Sequence, residues 1–360
     1  MSSRPESPGF IHGEVQNSQS LSDIEFSDLY LEPSGDAWYK RSPSDREHNT
    51  LSGQALRDAL DLREHVQQHV TGIDFSAIWR NMRFRVGRVE TFEGDVFVCR
   101  KLVTDILPLA SLGFPPLLVD SLLSADLNRG GIVLFTGQTG AGKSSSLAAW
   151  IVSRLERFGG AAWTVENPIE IIIGGRHAGE NGVMGSCYQT EVRNDDDFGA
   201  SIQRILRAAP NMIMIGEIRN SGAAYQAMLA GTSGHLVGAS LHANDILSAL
   251  ERMRSMLSEA RPNGNVLNFM SESLAAVIHQ SLVKTFVEGR EKTTLRLSQL
   301  IIAGSKNATA IRSHIREGDF SLLISEIERQ QRLSSSPVVN IKNGQPEGKN
   351  GGIADLLRKI

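Results

Sequence analysis

The sequence predicts an α/β fold: a mostly parallel sheet with helices on both faces, preceded by a small α+β domain and followed by a helical C-terminal part. Two observations support this prediction. Between residues 131 and 241 short apolar runs alternate with helical patterns, which is typical of a parallel sheet covered by helices. Before residue 112, strand patterns with turn residues between them surround one helical pattern, which indicates a small α+β domain.

The composition divides the chain into five segments. The first residues are rich in Ser, Glu, Pro and Gly without a period, and the last are of low complexity, so both ends are expected to be disordered or flexible. Two adjacent prolines, Pro115 and Pro116, resist helix formation and mark a linker. The predicted segments are a disordered N-terminus (1–21), the α+β domain (22–112), a linker and helix (113–130), the larger domain with its helical C-terminal part (131–333) and a flexible tail (334–360).

The individual elements follow from apolar periodicity and from turn residues. In the small domain, strands are predicted on either side of a turn at 33–35, a helix at 54–70, and a hairpin that turns at Glu93 and Gly94. The larger domain begins after a helix at 117–127. Its predicted strands are 132–136, 161–165, 212–215 and 236–241, and its predicted helices are 144–158, 198–209, 222–231, 246–257 and 266–283.

Charge and cysteine content exclude several classes of protein. The 360 residues carry a net charge of −3, so nucleic acid is not an expected partner. Two distant cysteines, Cys99 and Cys187, fit a reducing compartment better than a disulfide scaffold. The polar N-terminus is not a secretory signal, and no 18 apolar residues run together, so a cytoplasmic protein without a membrane span is expected.

A complete phosphate-loop motif follows the first strand of the larger domain. Residues 137–144 satisfy G-x-x-x-x-G-K-[ST], with an apolar strand before them and a helix after them. Glycines let main-chain N–H groups approach phosphate oxygens, Lys143 reaches the β- and γ-phosphates, and the Ser144 hydroxyl ligates Mg²⁺. ATP and Mg²⁺ are therefore the expected cofactors. The predicted nucleotide-binding residues are Gly137, Gln138, Thr139, Gly140, Ala141, Gly142, Lys143, Ser144 and Ser145.

Acidic residues follow two later strands. Glu166 and Glu170 come after the strand at 161–165, and Glu217 comes after the strand at 212–215. Carboxyl ends of parallel strands open into one crevice, so these carboxylates are candidates for orienting water and holding metal. Since Gly216 stands where many P-loop proteins have Asp, Glu217 is expected to meet Mg²⁺ through water. A strand-end glutamate that faces solvent is the alternative.

Two histidine pairs stand out. His235 and His242 bracket the strand at 236–241, and a role at phosphate or beside a catalytic carboxylate is favoured over a structural histidine. A metal site there lacks further ligands at suitable spacing. His65 and His69 lie four residues apart on the predicted helix, but Val66 replaces the glutamate of the H-E-x-x-H motif, so a structural role is favoured.

Together these motifs resemble the secretion ATPase superfamily of pilus motors, type II secretion ATPases and type IV secretion or conjugation ATPases. Four features match in order over about residues 130–245. They are the phosphate loop, an acidic box (164–170), an atypical Walker B segment (214–219) and a histidine box (232–244). The resemblance implies a RecA-like P-loop core, a PAS-like N-terminal domain, and helical C-terminal segments at 275–282 and 311–318.

The resemblance also implies roles and partners. Glu170 is favoured for polarising the attacking water, with Glu166 second, while Glu217 acts on the Mg²⁺ side and His235 and His242 couple phosphate state to the sheet. Arginines of the small domain, first Arg100 and then Arg85 or Arg88, are expected near the γ-phosphate; the alternative for each is an exposed strand residue. The family implies a homo-hexamer that works at the inner membrane with secretion or pilus platform proteins.

Departures from the family pattern keep other functions open. Asn167 and Asn220 stand where Asp is usual, Ala243 stands where Thr is usual, and the insertion at 174–184 is glycine-rich. Without a four-cysteine zinc module, retraction-type motors and type IVB secretion or conjugation ATPases fit better than type II enzymes. The alternatives are a nucleotide-binding regulatory switch and a DNA-translocating conjugation ATPase, against which the near-neutral charge speaks.

Overall fold

The computed structural model describes residues 19–42, 45–70, 72–102, 104, 106–287, 290–334, 341–342 and 345–346. Within these ranges, it describes only the backbone of residues 284–287, 290–293, 341–342 and 345–346. The expected disordered N-terminus and flexible tail therefore lie almost wholly outside the described residues. The chain forms two compact units, Met1–Lys101 and Leu102–Ile360. None of the helices in the described ranges is long and apolar enough to cross a membrane.

The first unit is an antiparallel sheet of six strands with one long helix, which agrees with the predicted α+β domain. The strand order is β3-β2-β1-β6-β5-β4, and β5 and β6 form the predicted hairpin. A 3₁₀ helix (Leu21–Asp23) precedes the sheet. The elements are β1 (Asp28–Leu31), β2 (Ala37–Lys40), β3 (Asn49–Thr50), α1 (Gly53–Gln68), β4 (Asp74–Trp79), β5 (Met82–Thr91) and β6 (Gly94–Lys101).

Helix α1 buries one apolar stripe that includes Ala59, Leu62 and Val66, at the spacing that puts side chains on one helical face. Asp58 is buried beside this stripe and accepts hydrogen bonds from the Ser20 hydroxyl, the Leu21 N–H, Gln54 and Arg80. Burial alone would raise the pKa of Asp58, but these hydrogen bonds outweigh burial and lower the pKa to about 2. The carboxylate thereby holds the 3₁₀ helix against α1.

The second unit contains one eight-stranded sheet, in the order β14-β13-β7-β12-β11-β8-β10-β9. The strands from β13 to β10 are parallel, while β14 and β9 run antiparallel at the two edges. Two further short strands, β15 (Ile341–Lys342) and β16 (Gln345–Pro346), pair with each other, and 3₁₀ helices lie at Ala125–Arg129 and Phe320–Leu323. The other elements are α2 (Pro116–Leu122), β7 (Gly131–Gly137), α3 (Lys143–Phe158), β8 (Gly160–Glu166), β9 (Gly175–Ala178), β10 (Met184–Glu191), α4 (Asp197–Leu206), β11 (Met212–Ile215), α5 (Ser221–Thr232), β12 (Leu236–His242), α6 (Ile246–Ala260), α7 (Val266–Ser273), β13 (Leu274–Val287), β14 (Arg290–Ile301), α8 (Ala308–Glu317) and α9 (Ile324–Leu333).

Helices cover both faces of this sheet, which confirms the predicted fold class. Alternate residues of β7 point to the two faces: Leu134 packs in a core with α4, α5 and α6, and Phe135 packs in a core with α3. All seven residues of β7 are buried. A central parallel strand is buried from both sides, so its sequence is almost continuously apolar. The position of β7 between β13 and β12 fixes where the phosphate loop leaves the sheet.

The segment expected to be a linker is part of the second unit. Leu109, Leu112 and Phe114 are buried in the same core as α3, and the division between the units falls after Lys101, not near residue 112. Arg154 of α3 donates to the carbonyl oxygens of Leu122 and Ser124 at 3.1 Å each, and so ties the end of α2 to α3. Apolar contact with α3 therefore overrides the linker composition.

The predicted helix at 266–283 is wrong after Ser273. Only α7 is helical, and β13 follows it at once, paired in parallel with β7 and antiparallel with β14. Residues 275–282, expected from the resemblance to be helical, are therefore part of strand β13. The second segment expected to be helical, 311–318, lies mostly in α8, and the helix α9 follows it. At the sheet edge, the Gln330 side chain of α9 accepts from the Ile301 N–H at 2.7 Å and donates to the Ile301 carbonyl at 2.9 Å.

Candidate nucleotide site

The phosphate loop connects β7 to α3 through a tight glycine-rich turn. Gly137 has φ = 153°, and a Cβ there would lie 2.3 Å from the carbonyl oxygen of Gln280. Gly142 is the residue before α3 and has left-handed geometry, with φ = 82°. Both positions therefore require glycine. The main-chain N–H groups at the start of α3 carry the positive end of the helix dipole, which favours an anion at this loop.

Lys143 lies over the loop that it follows. Its Nζ donates to the carbonyl oxygens of Gly137 and Gln138 at 3.0 Å each. Partial burial lowers the pKa of Lys143, while the nearby carboxylates of Glu217 and Glu170 act in the opposite direction. The structure thus brings one cation and two acidic residues, predicted separately from three segments of sequence, to the same end of the sheet.

Glu170 contacts the phosphate loop directly. The Ser144 hydroxyl donates to its Oε2 at 2.7 Å, and the Glu170 side chain is exposed. A hydroxyl and a carboxylate at this distance are hard oxygen ligands of the kind that Mg²⁺ accepts together with phosphate oxygens and water. The residues present therefore fit the expected cofactor. It is Glu170, not Glu217, whose carboxylate contacts Ser144.

Glu166 occupies a different environment, although it is only four residues from Glu170. It is 4% exposed, and its Oε1 accepts from the Thr164 hydroxyl at 2.6 Å and from the Gln189 side chain at 2.9 Å. Burial, aided by the charges of Glu170 and Glu191, raises the pKa of Glu166 to about 7 against these hydrogen bonds. Of the two acidic-box glutamates, only Glu170 is open to solvent.

Glu217 follows β11 and is held by an arginine from its own loop. Arg219 Nε donates to Glu217 Oε2 at 2.7 Å, and the same guanidinium donates through Nη1 to Asp195 Oδ1 at 3.2 Å. The Asn167 and Asn220 side chains, which stand where the family usually has Asp, also donate to Asp195, at its Oδ1 and its main-chain carbonyl. Asp195 was not identified from the sequence, because no motif contains it.

Strand β13 supplies two neighbours of the loop that the helix prediction concealed. Gln280 is buried, and its Nε2 donates to the Ala141 carbonyl inside the loop at 2.6 Å. His279 Nδ1 lies 3.2 Å from the Thr136 hydroxyl. Burial lowers the pKa of His279; Asp245 opposes this and Lys143 adds to it. The β-branched residues of this stretch, among them Val277, Ile278 and Val283, were the signal that could have identified this strand.

The two histidines of the histidine box lie at opposite ends of β12. His242 pairs with Gly137 across the β12–β7 ladder and therefore lies at the phosphate loop. His235 precedes β12 at the opposite end, roughly 20 Å away at about 3.3 Å per residue. Its buried Nδ1 has no hydrogen-bond partner among the described residues. His242 thus lies at the loop of its own chain and His235 does not, and the roles predicted for both, at phosphate or beside a catalytic carboxylate, remain predictions.

The remaining predicted residues are placed as follows. The Ser145 hydroxyl is buried and forms no hydrogen bond within the described part of the chain. In the first unit, Arg100 and Arg85 are cross-strand neighbours on β6 and β5. Arg100 donates to Asp28 at 2.8 Å, Arg85 lies 4.0 Å from Asp74, and Arg88 donates to Asp95 at 2.9 Å. Their role at a γ-phosphate remains a prediction.

Comparisons with known proteins identify relatives of the whole arrangement. A family described as "Type II/IV secretion system protein" matches residues 57–342. The type IV pilus ATPase PilU of Pseudomonas aeruginosa is 36% identical over 204 residues, which are 56% of this chain and 50% of PilU, so the chain matches only about half of that relative. The fold resembles the pilus retraction motor PilT with bound ADP (TM-score 0.67, 24% identity, 86% of this chain and 87% of PilT). It also resembles the Legionella pneumophila ATPase DotB (TM-score 0.63, 19% identity, 88% and 92%).

Proposed function

The chain belongs to the type II/IV secretion system protein family, and we propose from this membership and from its site that it hydrolyses ATP to drive a secretion, conjugation or pilus machine. One observation carries the hydrolysis step: the Ser144 hydroxyl of the phosphate loop meets the exposed Glu170 carboxylate at 2.7 Å, beside Lys143. This contact supports a role for Glu170 at the end of a bound triphosphate.

In this proposal the phosphate loop binds the nucleotide, and Glu170 orients the attacking water. Main-chain N–H groups of 137–144 and the Lys143 ammonium hold the β- and γ-phosphates. Ser144 would hold Mg²⁺, which neutralises charge on the phosphates when it is bound. Glu170 aligns the attacking water, and Glu217 acts on the metal side through water. Since phosphoryl transfer depends mainly on positioning and charge stabilisation, these groups suffice for a hydrolytic site.

The mechanical part of the proposal rests on the relatives. PilU is called a type IV pilus ATPase and PilT a pilus retraction motor, and the shared fold makes a ring-forming motor, by family a hexamer, the favoured assembly. We place it in the cytoplasm, at the inner membrane through platform proteins of a type IV secretion, conjugation or pilus system. Arg100 and Arg85 of the first unit are proposed to approach the γ-phosphate when nucleotide is bound.

Phosphate release by the purified full chain with Mg²⁺ and ATP tests the hydrolysis step. Lys143→Ala is expected to lose nucleotide binding, because it removes the cation of the loop, and Glu170→Gln is expected to bind ATP but lose turnover. Two exposed residues of the second unit give matched controls, Lys306→Ala and Glu180→Gln. Normal turnover by the Lys143 variant would refute the site. Nucleotide binding without turnover at every protein concentration would refute the motor and support a regulatory switch.

A further inference from the structure

Asp195 connects two loops at the carboxyl end of the sheet. It lies between β10 and α4, and its Oδ1 accepts from Asn167, which follows β8, and from Arg219, which follows β11, at 3.2 Å each. Its main-chain carbonyl accepts from Asn220 at 2.8 Å. The same Asn220 also begins α5, because its Oδ1 accepts from the Ala223 N–H at 2.8 Å. A single residue thus joins the loop of Glu166 and Glu170 to the loop of Glu217.

Arg219 is shared between two carboxylates. Its Nε contacts Glu217 at 2.7 Å and its Nη1 contacts Asp195 at 3.2 Å, and two fixed contacts orient a planar guanidinium better than one. Burial alone would lower the pKa of Arg219, but the hydrogen bonds and charges of Glu217 and Asp195 raise it. Arg219 is 45% exposed, so with Asp195 removed, water competes for the vacated side of the guanidinium.

The charges around Asp195 show why it must be acidic. Its side-chain partners are an arginine and the neutral amide of Asn167, and its main-chain carbonyl meets the neutral amide of Asn220. Among positions 167, 195 and 220, only 195 supplies a carboxylate to Arg219. A carboxylate at 167 would face the Asp195 carboxylate at close range and would be repelled. Besides Glu217, the cluster therefore has one further place for negative charge at Arg219, and Asp195 fills it.

We propose that Asp195 is a positioning residue that acts through Arg219 to hold the Glu217 carboxylate in its place beside Lys143. The inference rests on the proposed function, since Glu217 needs a fixed position only if the site performs hydrolysis. In this proposal Asp195 acts through Arg219 and not on the nucleotide itself. Its carboxylate contacts Asn167 and Arg219 and not the phosphate loop, so its removal is expected to affect turnover more than binding.

The test compares Asp195→Asn with Asp196→Asn in the full chain. Asp196 is exposed, is adjacent, and makes no capping hydrogen bond with its side chain, so its variant removes the same charge without the contact. Asp195→Asn is expected to lower kcat roughly tenfold, which is about 1.4 kcal/mol of transition-state stabilisation. The Kd for a non-hydrolysable ATP analogue is expected to stay within about twofold of the wild-type value, because the loop is intact.

A double variant, Asp195→Asn with Asn167→Asp, gives the decisive readout. Asn167 and Arg219 contact the same Asp195 oxygen, so the exchange returns a carboxylate to the neighbourhood of Arg219 and reverses the direction of the 167–195 hydrogen bond. Recovery of kcat supports positioning. Equal kcat in the Asp195 and Asp196 variants would overturn the inference, as would a loss of analogue binding that matches the loss of kcat and is not rescued. A wild-type chain without turnover would instead sink the proposed function.

Discussion

Replacing Glu166 with glutamine is expected to stabilise the second unit at alkaline pH and to change it little at acidic pH. The buried Glu166 carboxyl has a pKa of about 7, against an ordinary value of 4.5, because burial disfavours its charged form. A carboxyl whose pKa is raised by folding contributes stability in full below about pH 4.5 and loses that contribution as the pH rises through about 7. Glutamine has the same shape and no charge, and its carbonyl oxygen can still accept from Thr164 and Gln189.

The size of the effect follows from the same pKa. The difference between 4.5 and about 7 corresponds to about 3 kcal/mol, at about 1.4 kcal/mol for each pH unit. At pH 8.5 the wild-type protein has lost this contribution, and the variant has not. At pH 5 the Glu166 carboxyl of the folded wild-type protein is still mostly protonated and keeps most of this contribution, so the two proteins should differ little in stability.

Denaturant unfolding at pH 5, 6, 7 and 8.5 measures the difference between wild type and Glu166→Gln. Glu180→Gln provides the control, because Glu180 is exposed on the turn between β9 and β10. The expected result is a gain for the Glu166 variant that grows with pH and levels off above about pH 8. A gain that is the same at every pH, or a loss at pH 8.5, would refute the account of Glu166 as a buried carboxyl.

Two further substitutions test contacts at the two sheets. Asp58→Asn is expected to destabilise the first unit by about 2 kcal/mol at neutral pH. A carboxylate whose pKa is lowered by folding contributes stability above about pH 3.8 and loses that contribution as the pH falls toward 2, so the deficit of the variant should shrink in acid. The exposed control, Glu64→Gln, should show neither effect in unfolding experiments. Gln280→Ala is expected to weaken binding of an ATP analogue roughly tenfold, measured by calorimetry, because the Ala141 carbonyl loses its partner and the loop loses its support. Gln299→Ala, at a buried glutamine that contacts α9 instead of the loop, is the matched control, and equal affinities in both variants would contradict the role of Gln280.

Much of the fold and the centre of the site could be predicted from the sequence. The phosphate loop was recognisable because its function fixes residue types at four positions within eight consecutive residues. Glu170 and Glu217 were recognisable because they follow strands whose apolar runs are unambiguous. The separate environments of Glu166 and Glu170 were not predictable, since Gln189 reaches Glu166 only through the pairing of β10 with β8.

The C-terminal half of the sheet escaped prediction for a related reason. The residues after Ser273 begin with Leu274, Ala275 and Ala276, which suit a helix, and their apolar pattern continues that of α7. Strand formation there depends on pairing with β7, about 140 residues earlier, and with β14. Long-range pairing outweighed local propensity. As a result His279 and Gln280 were assigned to a helix, although they support the phosphate loop.

The contact between Gln330 and Ile301 has a practical consequence for shortened forms of the chain. Strand β14 is an edge strand, and at Ile301 the glutamine amide takes the place of a ninth strand by pairing with both main-chain groups. A chain that ended before α9 would leave this edge open to other molecules, and open strand edges promote aggregation. Trimming of the low-complexity tail should therefore stop after Leu333, where α9 ends.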